Sequence, residues 1–167
     1  MPQYIEDRRV DAFRFTDARL GARVERGLHA VALDEQRVDF SPTLWDQAPN
    51  VTQVVFAGAH ADVGGGYPAQ NGESGLSDIA LQWMALQLAG AGVALNDPIF
   101  TPFAPDAAGI AHQPWRHPPF NAPGKAALRA LGSQGLQAHE SVSQRSNAGP
   151  VAHDPGEPPA PYAPRNW

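Results

Sequence analysis

The sequence predicts an α/β fold built on a mostly parallel sheet, and three observations carry that prediction. The first is a short apolar run, Val51–Phe56, rich in β-branched and aromatic residues, a composition that suits a strand buried on both faces. The second is the polar stretch just after that run: His60-Ala61-Asp62 and then Gly64-Gly65-Gly66. It puts polar groups and a flexible loop at the carboxyl end of a strand, where open α/β sheets place their sites. The third is a helical pattern from Leu76, with Ser77 as N-cap, Asp78 in the first turn, and Ile79, Trp83, Met84 and Leu86 on one apolar face. Strand, glycine loop and amphipathic helix in that order form the repeating unit of a parallel sheet.

Taken in order, Met1–Phe15 is polar and irregular. Asp17 is placed to cap a helix running to Gly27, with Leu20 and Val24 inward and Gly21 as its weak point. His29–Leu33 reads as a second buried strand ending at Asp34-Glu35. Asp39–Asn50 holds Pro42 and Pro49 and reads as a loop anchored by Phe40, Leu44 and Trp45. The central strand, Val51–Gly58, comes next, then the helix to Leu88, with Gly90 and Gly92 as the stop. From about residue 97 prolines break every long pattern, and the segment is expected to drape over a surface, with one turn of helix at Ala126–Leu131. Gly149–Trp167 carries six prolines and is expected to be an irregular tail, separate from the domain over 1–148.

Composition narrows the function. The chain has 167 residues, enough for one domain with a core. Its net charge is −5 without a basic run, which argues against nucleic acid as a partner. It has no cysteine, so disulfides and thiolate zinc sites are out. There is no signal-peptide pattern and no apolar run long enough to cross a bilayer, so a cytoplasmic protein without a transmembrane segment is expected. No cofactor is expected.

The run VVFAGAHADVGGGY followed by LSDIALQWM resembles the catalytic domain of type VI secretion phospholipase effectors, an α/β-hydrolase family. HAVALDEQR (His29–Arg37), HESVSQR (His139–Arg145) and the closing YAPRNW agree with it. The resemblance implies hydrolysis of lipid esters, delivery by a secretion system, and His60 as the base of a catalytic triad. It also implies that the oxyanion-hole strand, the serine elbow and an acid precede the equivalent of Met1. The chain is therefore expected to be the C-terminal part of such a domain, completed by a missing N-terminal segment or by self-association.

The individual residues leave alternatives open. His60, just past a buried strand, sits where a hydrolase carries its general base; it equally suits a histidine bonded to backbone in a tight loop. Asp34, at the end of the neighbouring strand, is the candidate acid, against an ion pair with Arg37 or a turn-forming aspartate. Asp62 with His60 offers two ligands of a divalent metal, but two residues make no site, and a carboxylate bonding the loop backbone is the simpler reading. His139 is a candidate for the site's edge or for packing. No G-x-S-x-G elbow occurs; Gly72-Glu73-Ser74-Gly75 is the nearest approach. The residues thus suit an ester hydrolase completed by a serine from elsewhere, or a non-catalytic remnant or interaction module on the same scaffold, with a metal-dependent hydrolase using His60 and Asp62 as a third reading.

Overall fold

The computed structural model describes residues 18–95, 103–131 and 136–164; the expectation for Met1–Phe15 lies outside them. Three strands, β1 (Gly27–Ala32), β2 (Val51–Phe56) and β3 (Gln137–Ala138), form a parallel sheet in the order β1-β2-β3. Gly27 pairs with Val51 and Ala32 with Phe56, so β1 and β2 run in full register, and Val54 pairs with Gln137. The helices are α1 (His60–Gly64), α2 (Gly75–Gly90) and α3 (Glu140–Asn147). The parallel sheet with flanking helices is the α/β class the sequence predicts.

The strands' period of two sorts their side chains onto two buried faces. Val31, Leu33, Val55 and Ala57 pack on one face with Leu131, Val142 of α3, Val151 and Tyr162. Ala32, Val54 and Phe56 pack on the other with Val63 of α1 and Ile79 and Ala80 of α2. Both faces being covered is why Val51–Phe56 shows an apolar run rather than alternation.

Several local expectations give way to tertiary contacts. Residues 18–26 are turns, not a helix. The Ala18 carbonyl accepts from the Asp46 amide at 2.9 Å and the Val24 carbonyl from Asn50 Nδ2 at 2.9 Å, so this backbone is tied to the 46–50 segment, with a single turn bond of its own from the Val24 amide to the Gly21 carbonyl at 2.9 Å among the described residues. Helix α2 starts one turn earlier than Ser77: its N-cap is Ser74, and Ser77 Oγ donates back to the Ser74 carbonyl. Leu86, assigned to the inner face, is 66% exposed; Leu76, Ile79, Ala80 and Ala85 are the buried apolar positions. Ala126–Leu131 is extended, because Ala126 bridges Arg37 and the Ala127 amide bonds the Gln36 carbonyl at 2.8 Å.

The described part of the tail, residues 149–164, carries regular structure as well. Pro150–Val151 (β4) and Ala160–Pro161 (β5) pair antiparallel. This short ladder corrects the expectation of a tail without regular structure: two paired residues on each side accommodate a proline apiece, and Val151, Asp154 and Tyr162 are buried. Arg145 of α3, wholly buried, holds the segment by donating to the carbonyls of Ala107, Gly109 and Ala152 at 2.7–2.9 Å.

Candidate active site

The backbone leaves β2 at Phe56 and turns through Gly58, whose φ is +109°, into Ala59 and the first residue of α1, His60. Three successive amides in this turn each donate to a different carboxylate. Gly58 N–H reaches Asp34 Oδ2 at 2.7 Å, Ala59 N–H reaches Asp62 Oδ2 at 2.9 Å, and His60 N–H reaches Glu35 Oε2 at 3.1 Å. These are charge-assisted bonds to groups that an open turn would leave to water.

Each carboxylate has a further partner. Asp34 accepts from the Tyr162 hydroxyl at 2.9 and 3.1 Å. Burial pushes its carboxyl above the usual range, an effect that the bonds from Gly58 and Tyr162 and the nearby Arg145 only partly offset. Glu35 is fully buried and pairs with Arg37 through Nε and Nη2 at 2.9 and 2.7 Å. Burial alone would raise the Glu35 carboxyl, but the Arg37 and His60 donors outweigh it and hold it below its ordinary value. The Arg37 guanidinium lies over Phe40, 3.7 Å from the ring centre, and near Phe120 at 4.6 Å. Asp62, also fully buried, bonds His112 Nδ1 at 2.6 Å.

His60 itself is exposed. Its ring meets the edge of Phe40 at 5.1 Å and borders a cleft of about 660 Å³. The cleft runs from the outer edge of β1 (Leu28, Ala30) past the glycine loop to Leu81 and Met84 of α2. Its lining is largely apolar. Two serines border it, but Ser74 Oγ donates to Asp78 at 3.0 Å and Ser77 Oγ to the Ser74 carbonyl at 2.9 Å. Both hydroxyls serve the start of α2.

Residues 1–87 match the family model of the T6SS phospholipase effector Tle1-like catalytic domain. The chain belongs to this family. The matched stretch contains β1, β2, α1 and most of α2, hence the whole His60 turn and its three carboxylates. Comparisons with curated proteins and with solved structures returned no match.

Within this effector-family domain, the sequence candidates occupy distinct places. His60 lies at the carboxyl end of the middle strand and on the cleft. Asp34 lies at the end of the adjacent strand, its carboxylate bonded to Gly58 and Tyr162. The acid on the His60 residue is Glu35, through the main chain, and Glu35 is also the partner of Arg37. Asp62 bonds the backbone of the turn, and among the described residues no three His, Asp or Glu side chains gather as a metal site. His139 caps α3 by accepting from the Ser141 amide at 3.2 Å and stacks on Phe56 at 4.7 Å.

Sequence reasoning missed two carboxylate–imidazole pairs, Asp62–His112 and Asp154–His117; His112, His117 and Asp154 border a further cavity of about 360 Å³ beside Tyr67. Both histidines lie among prolines, 37 to 50 positions from their acids, and no local pattern announces such a pairing.

Proposed function

We propose that this chain carries the base-bearing, C-terminal part of a serine-type phospholipid ester hydrolase, delivered by a type VI secretion system, with His60 as the general base. The observation that carries the reading is the exposed His60 ring at the carboxyl end of the middle strand, beside an apolar cleft, inside the stretch matched to the effector family. In this reading His60 takes the proton of a serine hydroxyl as that oxygen attacks the ester carbonyl, then returns it to the leaving alcohol. The apolar walls suit acyl chains. The nucleophile, the oxyanion donors and the triad acid come from a segment outside these 167 residues, or Asp34 supplies the acid once Tyr162 releases it.

A non-catalytic role has one observation in its favour: the sequence holds no G-x-S-x-G elbow. The readings separate by experiment. Alone, the chain should hydrolyse phospholipid and short-chain esters no faster than a buffer control. Supplied with a family segment bearing the serine elbow, it should gain esterase activity, and His60→Ala should remove that activity while leaving the fold intact. Activity indifferent to His60→Ala refutes the assignment of the base. A segment that binds tightly and never yields activity favours the interaction module.

A further inference from the structure

We infer that His112 is a positioning residue that acts through Asp62 to fix the turn presenting His60 to the cleft. Asp62 has no solvent exposure, and a carboxylate taken out of water requires donors in its place. It has three: the Ala59 amide at 2.9 Å, the His112 amide at 2.9 Å and His112 Nδ1 at 2.6 Å. Two of the three come from one residue fifty positions away.

The geometry assigns the imidazole proton. An ionised carboxylate only accepts, so the Asp62 bond places a hydrogen on Nδ1. The ring is held flat against Tyr67, with centroids 3.4 Å apart and planes within 9°. Its Nε2 is buried without a hydrogen-bond partner among the described residues, facing Glu73 Oε2 at 3.7 Å. His112 is thus immobilised on three sides, and among the described residues its ring hydrogen-bonds the carboxylate that caps the His60 helix. Asp62 in turn packs directly under Gly58, at a point where even a methyl group would lie 2.4 Å from its Cβ. Any shift of Asp62 moves Ala59, and Ala59 is the residue from which α1 and His60 depart.

As a statement about the turn, this stands on the contacts alone; as a statement about catalysis, it rests on His60 being the base. Two substitutions separate positioning from mere packing. His112→Asn keeps a donor near the Nδ1 position and loses the ring. His112→Phe keeps a ring against Tyr67 and loses the donor. In the isotope-labelled full chain, His112→Phe is expected to lower the exchange protection of the Ala59 and His60 amides about tenfold, the scale of a lost charge-assisted bond. It should also shift the His60 imidazole resonances, while His112→Asn stays near wild type on both measures. The reverse order, or equal effects from both variants, overturns the inference. If His112→Phe does not fold, the ring nitrogens of the wild-type chain decide: Nδ1 found without a proton refutes it, and a protected Nδ1–H upholds it. In a reconstituted esterase, His112→Phe should lower kcat with little change in KM, restored by Asn. Should that esterase ignore His60→Ala, the base assignment fails while the amide result still judges the role of His112.

Discussion

Gly58→Ala is the perturbation that most directly tests the packing of the His60 turn. Two costs combine at this position. A side chain at φ +109° is strained, which costs about 1–3 kcal/mol. The new methyl would also lie 2.4 Å from Asp62 Cβ and 3.2 Å from its Cγ and Oδ2, an overpacking that costs about 1–3 kcal/mol more. Asp62 cannot simply swing away, because its oxygens hold Ala59 and His112. Gly66 supplies the control: its φ is +125°, yet an added Cβ meets nothing within 4 Å. Urea unfolding of the two variants at neutral pH therefore isolates the packing term. Gly66→Ala should lose only the strain, and Gly58→Ala should lose about 1–3 kcal/mol beyond it. In addition, only Gly58→Ala should deprotect the Ala59 and His60 amides. Equal losses in the two variants would show that Asp62 is not packed against Gly58, and the account of the turn would fall with it.

Tyr162→Phe removes the hydroxyl that meets Asp34 and leaves a half-buried carboxylate short of a donor, at a cost of about 1–3 kcal/mol; limited proteolysis should then cut first between β4 and β5, and an unchanged cleavage pattern would refute the anchor. Glu35 gives a pH test. Its carboxyl is held below the ordinary value of 4.5, so the folded state binds its proton less readily than the unfolded chain. Its contribution is complete above that value and is lost as pH falls through the lowered one. Glu35→Gln, which leaves Arg37 buried without its partner, should cost about 3–5 kcal/mol at neutral pH, with the gap to wild type narrowing in acid below about 4.5. A gap that stays constant across that range would refute the pairing.

The elements legible in the sequence are those whose burial is dictated by the sheet. Val51–Phe56 lies between two covered faces, so its residues are mostly apolar or β-branched, and no other local structure suits such a run. Helix α2 is legible for the same reason, although its pattern misplaces Leu86 on the core side. The failures share one cause. Asp17–Gly27 and Ala126–Leu131 have passable helical composition, yet backbone groups of the described residues in each are drawn to distant partners, Asp46 and Asn50 for the first and Gln36 and Arg37 for the second, which no window of local sequence contains. The order of the tail is hidden because prolines report missing donors but say nothing of a buried anchor such as Tyr162.

The site shows the limit in another form. Asp34, Glu35 and Asp62 are three acids close to a histidine, and pattern alone suggests a triad acid or a metal ligand. In the structure all three carboxylates face the backbone, one to each of the amides at Gly58, Ala59 and His60. The physical need is the same at each position. A strand that ends beneath a packed helix leaves its next amides without sheet partners, and water is excluded from at least two of the three acids that replace them. Burying those carboxylates then calls for counter-donors, which arrive from remote chain: Tyr162 for Asp34 and His112 for Asp62, with Arg37 nearby for Glu35. Acids in this pattern fix where His60 stands, and Asp34 is the only one of the three whose second partner is a neutral hydroxyl rather than a ring nitrogen or a guanidinium. Among these acids Asp34 is therefore the one that a rearrangement could free most cheaply to face an imidazole. Removing the competing hydroxyl tests that step directly: in a reconstituted enzyme, Tyr162→Phe should leave esterase activity intact or raised if Asp34 serves as the acid, whereas activity that falls in step with stability would assign Asp34 to the backbone alone.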